Sequence, residues 1–160
     1  MRAAYLLLDV AGTPCALPRE AVAEVLPLPD LSAPPVAGRV LAGFLNLGGE
    51  PVPVIDLARL FGLRDEAGPP ALYAHLVLAA DRGTAFLVDR VTDLAAVEAG
   101  ALRGVPDGRT LNGCVEATFS RDDRLVHVLG PGRILTAEEA ARVAVLTRAA
   151  RERLAALASV

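Results

Sequence analysis

Most apolar residues of this chain fall in short runs of strand length separated by turn residues, and one stretch repeats at helical spacing. Tyr5 to Val10 is such a run, and Gly12-Thr13-Pro14 turns it into Cys15-Ala16-Leu17-Pro18, which predicts an opening hairpin. Arg19 to Leu26 matches a helical face at Val22, Val25 and Leu26 but is short enough to be a strand. Leu41 to Leu47, the pair Gly48-Gly49 and Val52 to Ile55 predict a second hairpin, the glycines supplying the positive φ angles of a tight reversal. Pro51 and Pro53 cannot donate to a ladder, so the return strand is expected at an edge or a bulge. Asp56 stands where a helix N-cap belongs, Leu57, Leu60 and Phe61 share a face, and Gly62 suits a left-handed stop.

The second half continues in the same way. His75 to Ala80 and Thr84 to Asp89 flank the turn Asp81-Arg82-Gly83, Val97 to Val105 reads as a short helix, and Pro106-Asp-Gly as a turn. Leu111 to Phe119 and Leu125 to Leu129 form a last hairpin with Gly113 a candidate bulge. Thr136-Ala-Glu-Glu139 is a capping box, and Val143, Leu146, Ala150, Leu154 and Leu157 then recur every three or four residues, which predicts a helix over 136–158. Breaks fall at Pro27 to Gly38, a proline-rich stretch expected to be extended, and at Arg64 to Pro70. The expectation is one mainly β domain over 1–160, with lobes at 11–65 and 72–130 between which strands can be exchanged.

Composition narrows the function. At 160 residues and 53% hydrophobic the chain can bury a substantial core, yet its apolar runs are far shorter than the roughly 18 residues of a membrane span. The first residues lack the basic start, apolar block and cleavage site of a secretory signal, so a cytoplasmic protein is expected. A net charge of -3 and the absence of Trp argue against nucleic acid. Cys15 and Cys114, far apart and outside any Cys-x-x-Cys, read as buried small hydrophobes. Asp89 and Asp93 lack the His or Glu neighbours of a metal cage, and turn or edge roles suit them better. No phosphate loop, Gly-x-Ser-x-Gly elbow or His-Glu-x-x-His is present, and no cofactor is implied.

Gly43-Phe-Leu-Asn-Leu47, followed by Pro51-Val-Pro-Val-Ile-Asp-Leu57 and Phe61-Gly62, resembles the signature segment of CheW-like domains, the coupling adaptors of bacterial chemosensory arrays. Val22-Ala-Glu-Val25 and Phe86 to Leu94 resemble further landmarks of that family. The resemblance implies two small five-stranded SH3-like β-barrel lobes side by side with a long C-terminal α-helix. It also implies a non-catalytic adaptor that binds the cytoplasmic tip of a methyl-accepting chemoreceptor between the barrels and the regulatory domain of the histidine kinase CheA at a barrel end. Carried over residue by residue, the receptor groove would take Val22, Glu24, Gly43, Asn46 and Gly48, and the structural signature Pro53, Val54, Asp56, Leu57 and Asp89. The implied protein is a monomer in isolation that can join array rings. One departure stands out: the family usually has Asn-Leu-Arg-Gly where this chain has Asn46-Leu47-Gly48-Gly49, so the arginine expected to face Glu24 is missing. A divergent adaptor of a non-flagellar system, for pili or gliding, is the alternative. An enzyme with Cys114 as nucleophile and His127 as base is the more distant one.

Overall fold

The computed structural model describes residues 1–31, 40–64, 72–105 and 113–158. In these, eleven strands and two α-helices form: β1 (Arg2–Val10), β2 (Thr13–Pro18), β3 (Val22–Pro27), β4 (Leu41–Leu47), β5 (Glu50–Asp56), α1 (Leu57–Leu60), β6 (His75–Ala79), β7 (Ala85–Val88), β8 (Arg90–Glu98), β9 (Arg103–Gly104), β10 (Val115–Arg121), β11 (Arg124–Leu129) and α2 (Ala137–Ala158). The expected stretches 32–38 and 65–70 and the turn at 106–108 lie outside the described residues, as do the first two residues of the last hairpin.

The strands make two sheets. One has six strands in the order β8-β1-β2-β11-β10-β9, the other five in the order β3-β6-β7-β5-β4. The fold is therefore mainly β with a long C-terminal helix, and the sixth strand is the two-residue β9. Each of the expected segments 11–65 and 72–130 contributes strands to both sheets. The chain passes from the five-stranded sheet to the six-stranded one at Asp89, between β7 and β8, and the Asp89 N–H donates to the Asp9 carbonyl at 3.0 Å there.

Strand alternation divides the apolar residues among three cores. Along β1, Tyr5 and Leu7 point into the six-stranded lobe with Ala16, Phe119 and Val128, whereas Leu6, Leu8 and Val10 point between the sheets. The five-stranded lobe has its own interior at Leu45, Val54, Leu76 and Leu87. The central core joins Leu17 and Leu129 of the first sheet to Ile55, Val77 and Phe86 of the second, and Leu57 and Ala150 of the helices close it. Side chains as fully buried as Ile55, Leu57 and Leu129 contribute about 1.5–3 kcal/mol each.

Several expectations change. Arg19 to Leu26 is one 3₁₀ turn, Arg19–Ala21, followed by a strand. Val97 to Val105 is not a helix: β8 runs to Glu98, a 3₁₀ turn spans Ala99–Ala101, and β9 follows. Pairing of β8 with β1, Val97 opposite Ala3, outweighs the weak local pattern. The bulge of the last hairpin falls between Val115 and Ala117 and not at Gly113. β5 lies between β7 and β4, yet the part that holds Pro51 and Pro53 pairs only with β4 and is an edge on its other side. They are tolerated because pairing with β7 begins only at Val54, beyond both prolines.

Candidate protein-binding site

The β4–β5 hairpin ends in a turn exposed at Asn46 and at Gly48 to Glu50. Leu47 pairs with Glu50 across a two-residue turn in which Gly48 and Gly49 have φ of 61° and 93°. Both angles are left-handed, as this tight turn requires. The Asn46 Oδ1 accepts from the Gly49 N–H at 2.8 Å and fixes the turn from within. Among the described residues β4 is an edge strand, with a strand partner on one side only. A side chain at Gly48 would meet nothing within 4 Å.

The residues carried over by resemblance fall on this lobe. Gly43 and Asn46 lie on β4 and Gly48 in its turn, whereas Val22 and Glu24 lie on β3, at the other edge of the same sheet. Val22 is buried in the central core with Leu41 and Phe44, so the two edges share packing. Glu24 is half exposed, and its Oε2 lies 3.9 Å from Nη1 of Arg82, in the β6–β7 turn. In the turn Asp81-Arg82-Gly83 it is Arg82, with φ of 60°, and not the glycine that takes the left-handed position.

The signature residues are structural. Pro53 pairs with Phe44, Val54 fills the five-stranded lobe, and Leu57 the central core. Asp56 is buried and caps α1, its Oδ1 accepting from the Arg59 N–H at 3.3 Å, while its own N–H donates to the Val40 carbonyl. The Arg59 Nε is buried and 3.4 Å from Asp56 Oδ2, an ion pair without an aligned hydrogen bond. Asp89 accepts a bidentate fork from Arg64, and these hydrogen bonds hold the Arg64 guanidinium above its ordinary pKa. Asp93 is bound to Arg121 at 3.0 Å and to the Leu94 N–H at 2.8 Å. Asp93 thus serves the edge strand β8, whereas Asp89 is held in a partly buried ion pair.

On β11, His127 faces Cys15 of β2 across the parallel pairing. His127 is opposite Thr118, and its Nδ1 lies 3.2 Å from the Pro14 carbonyl, while the Cys114 carbonyl accepts from the Gly130 N–H. Burial pushes the Cys114 thiol up to about 11 and the Cys15 thiol up to about 12, the reverse of activation. Among the described residues no group of three or more His, Cys, Asp or Glu side chains is arranged to hold a metal ion. Nor is any described helix long and apolar enough to cross a membrane.

Beside the hairpin lies a groove of about 220 Å³. Phe44, Leu45, Asn46 and Pro51 form one wall, and Ala150, Arg153, Leu154 and Leu157 of α2 form the other. The polar groups are few and the lining is mostly apolar, a surface suited to contact by shape.

Two interleaved β lobes around a shared core, with an edge hairpin and a helix laid against it, define a class of two-lobed β proteins. The CheW-like domain family model matches residues 4–139, and the chain belongs to the CheW-like domain family. Among solved structures it is similar to the scaffolding protein TtCheW from Thermoanaerobacter tengcongensis, with a TM-score of 0.71 at 20% sequence identity over 81% of this chain and 84% of that one. No curated protein matches closely enough to serve as a relative.

Proposed function

We propose that the chain is a non-catalytic adaptor of a chemosensory system, which couples a chemoreceptor tip to the regulatory domain of a CheA-type histidine kinase in the cytoplasm. The observation that carries this reading is the family match across residues 4–139. The similarity to a solved scaffolding protein supports it. So does the edge hairpin, whose exposed turn at Asn46 and Gly48 to Glu50 and neighbouring apolar surface can hold a partner without reactive groups. In this reading the receptor meets Glu24, Asn46 and the Gly48 turn. Titration calorimetry of the purified protein against receptor-tip fragments and CheA-type regulatory domains of the same organism tests it; binding to none of them would refute it.

Gly48 favours a second reading. With no arginine there, Glu24 is near Arg82 instead, and the turn presents a bare backbone. An adaptor of a pilus or gliding system, with a receptor tip of different shape, fits that altered surface. Pull-down against flagellar and non-flagellar receptors of the same cell separates the two.

A further inference from the structure

The packing face of α2 outlasts the core it serves. Val143, Leu146 and Ala150 pack into the central core, with Ala150 at 6% exposure, whereas Leu154 and Leu157, the next positions of the same stripe, stand at 38% and 71%. That leaves apolar area in water which a partner could cover. Leu154 and Leu157 line the groove of about 220 Å³ together with Asn46 and Pro51 of the β4–β5 hairpin. Phe44, Leu45 and Pro51 in its lining are already buried, so the groove offers a partner chiefly Asn46 on one wall and Arg153, Leu154 and Leu157 on the other.

The hairpin turn sets the position of both walls. The Asn46 Oδ1 accepts from the Gly49 N–H, and Glu50, the residue after Gly49, has its Oε2 3.1 Å from the Arg151 Nε of α2. Charges beside the groove, from Glu50, Arg151, Glu152 and Arg153, cancel, so recognition here rests on shape and apolar contact. Gly48 and Gly49 bring no side chain, and a partner seated on Asn46 and the turn finds the exposed apolar side chains of this groove on α2. Nearly all of α2 lies beyond residue 139, where the family match ends, so this wall is no part of the contact carried over by resemblance.

We propose that the surface for the receptor tip extends from the hairpin across the groove onto the end of α2, where Leu154 and Leu157 are specificity-determining residues that take an apolar side chain of the tip beside Asn46. This role of α2 rests on the adaptor reading given above. The occupant follows from continuity: Asn46 belongs to the receptor contact in that reading, and the two leucines line the same groove as Asn46.

Receptor-tip fragments and CheA-type regulatory domains of the same organism are titrated into the full chain and its variants by calorimetry. Leu154→Asp and Leu157→Asp should each weaken receptor binding about tenfold, a difference of about 1.4 kcal/mol. Leu157→Met, which keeps volume and apolarity, should bind within about twofold of wild type. Kinase-domain affinity should stay unchanged throughout. Val145→Asp is the control, since Val145 is 64% exposed but on another face of α2, and it should alter neither affinity. Circular dichroism checks that each variant is folded, and Leu157→Asp, at the more exposed position, carries the test where Leu154→Asp loosens the helix. If receptor tips bind wild type and both leucine variants equally, the role of α2 is refuted and the adaptor reading stands. If no tip binds wild type, that reading fails and the role of α2 falls with it. Weaker kinase-domain binding by Leu157→Asp, an equal loss of receptor binding with Val145→Asp, or a concentration-dependent dimer abolished by Leu157→Asp would also overturn it.

Discussion

Arg64 lies fork to fork with Asp89, Nη1 donating to Oδ1 at 2.8 Å and Nη2 to Oδ2 at 2.5 Å, at the place where the chain leaves one sheet for the other. Both side chains are partly buried, at 33% and 16% exposure, so the pair escapes much of the screening that weakens surface ion pairs. Arg64→Ala should cost about 1–2 kcal/mol in urea denaturation, and Arg64→Lys should recover less than half of that, since an ammonium cannot make two parallel bonds. A loss of under about 0.3 kcal/mol for Arg64→Ala would show the fork to be incidental.

Gly48→Arg restores the residue common in the family. The space is open, but φ of 61° charges any L side chain about 1 kcal/mol, so the variant should be slightly less stable than wild type. Calorimetry should nonetheless show tighter binding to the receptor tip, and Gly48→Ala, which carries the same strain without the guanidinium, should show no gain. If the arginine variant binds no better than the alanine one, the missing contact is irrelevant here.

Glu24 and Arg82 are 3.9 Å apart and roughly half exposed, at 48% and 56%. A double-mutant cycle on folding stability should therefore give a coupling below about 0.5 kcal/mol. The same cycle read on receptor binding should give a larger value, because a partner covering the pair removes its water. Equal couplings in both measurements would mean that no partner covers this edge.

Cys15 and Cys114 give a pH dependence whose sign is fixed. Their thiols titrate near 12 and 11 in the folded protein against 9.0 as the ordinary value, so between about pH 9 and 11 the unfolded chain loses protons that the folded chain keeps. Stability should fall as pH rises through that window, by up to about 1.4 kcal/mol per unit for each thiol. Cys15→Ala should flatten the slope measured at pH 8, 9.5 and 10.5. Alkylation of Cys114 at pH 8 should be far slower than that of free cysteine, and a rate near the free value would revive a reactive thiol.

Local chemistry was readable in the sequence and long-range pairing was not. The Gly48-Gly49 turn, the Asp56 cap and the Thr136–Glu139 capping box, whose reciprocal bonds measure 2.8 and 3.2 Å, are set by neighbouring residues and appear as expected. The resemblance supplied the lobes. What no local pattern reveals is that β5 runs parallel to β7 and β11 to β2, or that Leu6 lies opposite Leu94. Those registers are chosen by three cores competing for alternating side chains, and they explain how Pro51 and Pro53 sit in a strand that is paired on both sides only from Val54. The ion pairs of Arg64 and Arg82 are hidden for the same reason, being made with acids 25 and 58 positions away.

The parallel contact of β2 with β11, with β1 held between β2 and β8, has a consequence for biosynthesis. A nascent chain emerging from the ribosome holds its first hairpin for more than a hundred residues before the strand at 124–129 arrives to shield it. Folding should accordingly be slow for a protein of this size. Fragments that stop before residue 129 should be prey for proteases, and cutting the gene at the apparent lobe boundary should yield two insoluble halves.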